Sequence, residues 1–109
     1  MAWGSSDLNA VYNFPVGLVY TAVVYAAQSL KYNIRVADPN AHTITINFPM
    51  SLFSYGQTMN ISLYEIEGDR TSVIFSSKSA LVTELGAKSK NKKNIDKLIN
   101  AIPAYLPQH

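Results

Sequence analysis

Strict alternation of apolar and polar residues over residues 42–48 is the feature that most constrains the fold. His42, Ile44, Ile46 and Phe48 share one parity, and the residues between them are threonine or asparagine. Successive side chains of a strand point to opposite faces, so a period of two predicts a strand with one buried face. A sheet built from such strands needs a cover, which the rest of the chain must supply.

Four further segments predict strands that complete a meandering antiparallel sheet. Turn chemistry supports the connections, because Asp-Pro-Asn at residues 38–40 and Gly-Asp-Arg at residues 68–70 are typical of tight reversals between strands. The predicted strands besides the one at residues 42–48 lie at residues 8–14, 32–36, 57–67 and 71–79.

Helical spacing of apolar residues occurs twice, at residues 16–31, which follow Pro15, and at residues 95–102. The predicted class is therefore α+β: a curved antiparallel sheet of about five strands with two helices packed on one face, in the order β-α-β-β-β-β-α. We expect a single domain over residues 1–109, with a flexible N-terminus at residues 1–6 and a connecting loop at residues 80–94.

This arrangement resembles a known class of small domains. The resemblance rests on the helix at residues 15–30, on the Asp-Pro-Asn turn before residues 43–46, and on residues 86–90 leading to Asn94 and Ile95. In these features the chain is similar to helix-grip domains, which include uncharacterised bacterial domains and, more distantly, the repeated domains of the outer-membrane lipoprotein BamC. The resemblance implies a non-enzymatic domain that acts in interactions or binds an apolar ligand between sheet and helix.

Two sets of apolar residues exceed what one sheet face needs. The first helix carries a second apolar stripe, formed by Val16, Tyr20 and Val24, which the C-terminal helix, a second subunit or an apolar ligand could cover. A segment between two strands breaks the alternation and predicts either core packing or a contact surface for a partner. Its apolar residues are Met50, Leu52, Phe53 and Tyr55.

A cluster of lysines precedes the last apolar helical stripe. Lys88, Lys90, Lys92 and Lys93 stand near a helix N-terminus, which already carries partial positive charge. The cluster therefore predicts an anion site for a phosphate, an acidic protein surface or an anionic lipid head group. The alternative is a solvated loop whose lysines maintain solubility.

The sequence offers no catalytic constellation, metal site or cofactor motif. It has no cysteine, which excludes disulfides, thiolate catalysis and cysteine-ligated metals. The two histidines, His42 and His109, lack a carboxylate partner at ligand spacing. No aromatic residue stands among the clustered lysines, a pattern that does not favour nucleic acid binding. We therefore expect no enzyme activity and no cofactor.

The function predicted from sequence is a non-enzymatic interaction or binding module, with self-association through the first helix or an edge strand as one mode. The alternatives are a carrier of a small apolar ligand and a binder of anions or anionic lipid surfaces. No apolar run is long enough to span a bilayer, and no signal peptide is visible. The expected location is the cytoplasm by default, or the cell envelope if a leader has been removed.

Overall fold

A computed structural model describes residues 5–48, 57–79 and 87–107 of the chain. It confirms the predicted class and element order. The elements are β1 (Ser5–Tyr12), α1 (Val16–Ser29), β2 (Asn33–Asp38), β3 (Thr43–Phe48), β4 (Gln57–Ile66), β5 (Arg70–Ser79), α2 (Ala87–Ala101) and a 3-10 helix at Ile102–Tyr105.

The five strands form one antiparallel sheet in the order β1-β5-β4-β3-β2. Its register aligns the predicted apolar positions, so that Ile44 faces Ile61 and Ile46 faces Met59 across β3 and β4. All four are at most 1% exposed. Their alternating neighbours form the other sheet face, where the Thr45 hydroxyl donates to Oδ1 of Asn60 over 3.1 Å. The period of two in the sequence thus becomes a one-sided sheet.

Helix α1 connects β1 and β2, which lie at opposite edges of the sheet. It ends in a Schellman turn, because the N–H of Lys31 donates to the Gln28 carbonyl and the N–H of Tyr32 donates to the Ala27 carbonyl. Lys31 adopts a left-handed φ of 61° in this turn. The left-handed residue stops the helix, so α1 is shorter than the predicted 16–31.

Helix α2 begins at Ala87, within the segment predicted as a connecting loop at residues 80–94. Residues 87–93 carry no apolar period, which is why sequence patterning misses them, but alanine and lysine are good helix formers. The apolar residues that follow are buried: Ile95, Leu98 and Ile102 are fully inaccessible to solvent. The chain thus enters its last helix about two turns earlier than predicted.

Two smaller differences concern strand ends. Strand β1 begins at Ser5, within the segment predicted as a flexible N-terminus, because its backbone pairs with β5 from Lys78 onward. His42, predicted on the strand, lies in the preceding turn with a left-handed φ of 56°, and its carbonyl accepts from the N–H of Leu63 over 3.0 Å. Closing the turn requires that backbone conformation, which alternation alone does not reveal.

Both helices cover the same sheet face, as predicted. Helix α2 lies on β1 and β5, whereas α1 packs on β2, β4 and β5 and against the C-terminal 3-10 helix. Val19, Val23 and Ala26 of α1 and Phe75 of β5 are fully buried between the layers. Within the described ranges, no helix is both long and apolar enough to cross a membrane.

Candidate functional site

The core face of the sheet changes from apolar to polar at one end. Along β4, Met59, Ile61 and Leu63 are buried apolar residues, but the first residue of the strand on the same face is Gln57, which is only 6% exposed. Ser77 on the adjacent strand is also buried on this face. A polar side chain in such a position costs free energy unless it is hydrogen-bonded.

A set of contacts joins Gln57 to both helical segments. The side-chain amide of Asn94 on α2 donates to Oε1 of Gln57 over 2.8 Å. The Tyr32 hydroxyl, just after α1, donates to the main-chain carbonyl of Asn94 over 3.1 Å. The Tyr32 ring packs edge-on against Phe48, with 4.8 Å between ring centroids. We call Tyr32, Phe48, Gln57 and Asn94 the amide cluster.

Local structure explains why these four residues meet. Phe48 ends β3 and pairs with Gln57, which begins β4. Asn94 lies four residues before the buried Leu98, on the same face of α2, and so points toward the sheet. Tyr32 follows the Schellman turn that redirects the chain from α1 into β2. The pairing of β3 with β4, the sheet-facing side of α2 and the turn after α1 therefore bring the four residues together at one end of the sheet.

The amide cluster can form further neutral hydrogen bonds. The mutual bond uses the Asn94 amide nitrogen and the Gln57 amide oxygen, so it leaves the Gln57 nitrogen as a donor and the Asn94 oxygen as an acceptor outside that bond. Burial raises the pKa of the Tyr32 hydroxyl above its ordinary value, so it stays protonated at neutral pH. Tyr32, Phe48 and Asn94 are half-buried, so the cluster reaches the molecular surface.

A second polar group faces the core at the opposite end of the sheet. Tyr12, the last residue of β1, pairs with Thr71 on β5. The hydroxyl oxygen of Tyr12 is buried and has no hydrogen-bond partner within the described residues. Burial also raises the pKa of this hydroxyl. The Thr71 hydroxyl is already engaged, donating to the Phe14 carbonyl over 2.9 Å.

The stripe predicted on the first helix faces the interior of the chain. Tyr20 is 9% exposed, and its hydroxyl donates to the Thr43 carbonyl over 3.1 Å. Val16 and Val24 are half-buried and pack against the core. The chain therefore provides contacts for this stripe, and a role in a subunit interface or ligand contact stays a prediction.

The other predicted site residues lie mostly outside the described part of the chain. Helix α2 contains all four lysines of the cluster, and the side chain of Lys93 is exposed. The side chains of Lys88, Lys90 and Lys92 lie outside the described residues, as do Met50, Leu52, Phe53 and Tyr55. Anion binding and an apolar contact surface stay predictions. Within the described ranges, no group of three or more His, Cys, Asp or Glu residues could hold a metal ion.

Sequence reasoning missed the amide cluster, although it carries a signal. Gln57 shares the parity of Met59 and Ile61, so it is a polar residue at a core-facing strand position. Asn94 likewise stands at helical spacing from Leu98. A polar residue at a position where the periodic pattern calls for an apolar one would have indicated both Gln57 and Asn94.

Comparison with known proteins identifies the fold. No protein-family model and no curated protein matches the chain. Among solved structures, a protein from Nitrosospira multiformis matches with a TM-score of 0.70 at 15% identity, over 95% of this chain and 97% of its own. The aromatase/cyclase ZhuI from Streptomyces sp. R1128 matches with a TM-score of 0.54 at 8% identity, over 93% of this chain and 87% of its own.

A third neighbour is the di-domain ARO/CYC StfQ of the steffimycin biosynthetic pathway. It matches with a TM-score of 0.63 at 10% identity, over 89% of this chain and 42% of its own. At these identities the likeness shows the fold alone, which is the helix-grip-like sheet and helix arrangement expected from sequence. A similarity to BamC is not shown by these comparisons.

The prediction that the chain is not an enzyme is contradicted by these neighbours. ZhuI is named as an aromatase/cyclase and StfQ as an ARO/CYC protein, so enzymes use this fold. The prediction rested on the absence of a recognisable motif, such as a nucleophile elbow or a metal ligand set. Catalysis carried by separate polar residues on an apolar interior leaves no such motif in one sequence.

Proposed function

We propose that this protein binds a small, largely apolar molecule that carries a neutral hydrogen-bonding group, with the polar group held at the amide cluster. The single observation that carries the proposal is the placement of Gln57. Gln57 is 6% exposed on the face of β4 that is apolar from Met59 to Leu63, at the end of the sheet where the rings of Tyr32 and Phe48 pack together.

The chemistry of the cluster fits such a ligand. Small-molecule sites are mostly apolar, and a few placed polar groups fix orientation. Phe48 and Tyr32 supply aromatic surface, and the Gln57 and Asn94 carboxamides supply a donor and an acceptor. Since carboxamides carry no charge, they favour a hydroxyl, carbonyl or amide on the ligand over a charged group.

The neighbours support a small-molecule site without identifying its ligand. Proteins named as aromatase/cyclases share the fold, so a small-molecule site in this architecture has a precedent. At the described centre of the core, Met59, Ile61 and Phe75 are fully buried. This closed centre supports a ligand site at the amide cluster. Phe48, Tyr32 and Asn94 at the cluster are half-buried.

The test compares two probes that differ by one hydroxyl, 2-naphthol and naphthalene, by equilibrium dialysis against the wild-type protein and Gln57→Leu. We expect the substitution to weaken 2-naphthol binding by about fivefold to tenfold, the value of one hydrogen bond, and to leave naphthalene within about twofold. The control is Asn60→Leu, which removes a carboxamide from the exposed outer face of the same strand.

Two outcomes would contradict the proposal. If neither 2-naphthol nor naphthalene binds, the proposed site does not exist. Equal weakening of both probes in Gln57→Leu, with a lowered melting temperature, would mean that Gln57 only fastens α2 to the sheet.

Self-association and anion binding remain predictions from the sequence. Light scattering across a concentration series tests self-association through α1. Binding to anionic vesicles, compared with variants in which Lys88, Lys90, Lys92 and Lys93 are replaced by alanine, tests the lysine cluster. Electrostatic binding there should weaken with added salt.

A further inference from the structure

The hydroxyl of Tyr12 stands apart from the other buried tyrosine hydroxyls. Tyr20 donates to the Thr43 carbonyl and Tyr32 to the Asn94 carbonyl, each over 3.1 Å. The Tyr12 oxygen is buried, yet the described residues offer it no hydrogen bond. Buried polar atoms in folded proteins almost always have a partner, so this atom calls for one that the described residues do not provide.

The surroundings of Tyr12 define what that partner can be. Leu8 and Ala10 precede it on the same face of β1 and pack with it against the apolar core. The nearest polar side chain by register is Thr71, whose hydroxyl is already bonded to the Phe14 carbonyl. A charged partner would lose its hydration in these surroundings, whereas an uncharged oxygen acceptor would lose little.

We propose that the Tyr12 hydroxyl is a ligand-binding group, which donates a hydrogen bond to an uncharged oxygen acceptor of a small apolar molecule, such as a ketone, ester or ether. Burial raises the pKa of this phenol, so it remains a donor well above neutral pH. As a protonated phenol facing an apolar interior, it can donate to an acceptor on the ligand, and it forms no hydrogen bond with a hydrocarbon.

This site is separate from the amide cluster and goes beyond the function proposed for that cluster. Tyr12 pairs with Thr71, and Gln57 pairs with Ser79, at opposite ends of β5. The two positions differ by 79 − 71 = 8 residues, which corresponds to about 26 Å along a strand. One small molecule cannot reach both groups, so the two sites can be tested independently.

The experiment uses 1-tetralone, a ketone that only accepts hydrogen bonds, and tetralin, the hydrocarbon with the same ring skeleton. Their affinities are measured by equilibrium dialysis for the wild-type protein, Tyr12→Phe and the control Tyr25→Phe, where Tyr25 is a 51% exposed residue of α1. We expect Tyr12→Phe to weaken 1-tetralone binding by about fivefold to tenfold and to leave tetralin within about twofold. The control should leave both affinities unchanged.

Thermal denaturation without probe separates a ligand from an ordered water. If no partner is present in the free protein, Tyr12→Phe keeps or raises the midpoint, because it removes an unpaired buried hydroxyl. If an internal water already binds the hydroxyl, the midpoint falls, as it should in Tyr20→Phe, and the inference is wrong. Unchanged 1-tetralone affinity in Tyr12→Phe, equal weakening of both probes, or no binding at all would also overturn it.

The two proposals fail separately. Loss of 2-naphthol binding in Gln57→Leu with intact 1-tetralone binding in Tyr12→Phe would support the amide cluster and refute the Tyr12 site. The reverse pattern would support the Tyr12 site alone.

Discussion

The side chains of Asn94 and Gln57 are joined by a hydrogen bond of 2.8 Å, although the residues are 37 positions apart. The bond connects the middle of α2 to the first residue of β4. It lies where the core face of the sheet becomes polar, so one contact both fastens the helix and shapes the candidate site.

Replacing Asn94 should therefore be costly. Asn94→Ala leaves Oε1 of the nearly buried Gln57 without this donor, and we expect a loss of about 1–3 kcal/mol in the free energy of unfolding. Urea denaturation measures it. The control is Asn100→Ala on the exposed face of the same helix, which should change stability by less than about 0.5 kcal/mol. Similar losses in the two variants would show that the amide bond contributes nothing specific.

The Tyr20 hydroxyl should contribute to the attachment of α1 to the sheet. Tyr20→Phe removes the bond to the Thr43 carbonyl and keeps the ring, so we expect a loss of about 1 kcal/mol. Tyr25→Phe on the same helix is the control, because Tyr25 is an exposed residue. Thermal or urea unfolding of both variants decides the point, and an unchanged Tyr20→Phe would argue against it.

Stability should fall above pH 10 for a reason specific to the buried tyrosines. Desolvation by burial raises the pKa of Tyr12, Tyr20 and Tyr32 above the ordinary value of 10.0. Above that value the unfolded chain loses these protons while the folded chain keeps them, so the free energy of unfolding decreases as pH rises. Below it, their contribution is fully present and constant.

Urea unfolding at several pH values between 8 and 11 measures this decline. Tyr32→Phe should show a shallower decline than the wild type, although it is less stable at neutral pH. The control is Tyr64→Phe, which changes a 55% exposed residue on the outer face of the sheet and should follow the wild-type slope. Equal slopes in all three proteins would mean that tyrosine ionisation does not drive alkaline unfolding.

Lys31→Gly should stabilise the protein. Lys31 holds a left-handed φ of 61° at the end of α1, which costs a residue with a β-carbon about 1–2 kcal/mol. Glycine removes that cost but loses more freedom on folding, so we expect a net gain of about 0.5–1 kcal/mol. Lys97→Gly, at an exposed position inside α2, is the control and should lose about 1 kcal/mol. A destabilised Lys31→Gly would show that the lysine side chain itself stabilises the turn.

The strands and the buried face of the sheet could be predicted because their signal is local. Ile44, Ile46 and Met59 alternate with polar residues, and a period of two leaves only one way to bury them. The start of α2 could not be predicted this way, because residues 87–93 carry no apolar residue after Ala87 and helix formation there follows from propensity. The apolar pattern likewise does not contain the strand order, because β1 pairs with β5, which is far from it in the sequence.

The candidate site depended on contacts that no local pattern contains. Gln57 showed its anomaly in the sequence as a polar residue on core parity, but its partner Asn94 is set by how α2 lies on the sheet. Tyr12 shares the parity of Leu8 and Ala10 in the sequence, and only the structure shows that its hydroxyl lacks a bond in the described chain. The candidate site therefore depends on how the elements pack together, whereas periodicity predicts which face of each element is buried.

The pairing of β1 with β5 has a consequence for synthesis of the protein. The Thr71 hydroxyl donates to the carbonyl of Phe14, which is synthesised 57 residues earlier. Every residue of β1 likewise pairs with β5, which is synthesised later. A chain that elongates at about 5–20 residues per second leaves β1 unpaired for several seconds. During that time α1, which contains no charged residue, has only part of its sheet to cover, because it packs on β5 as well as on the earlier strands β2 and β4. The nascent chain thus leaves β1 and part of an uncharged helix exposed until β5 has been made.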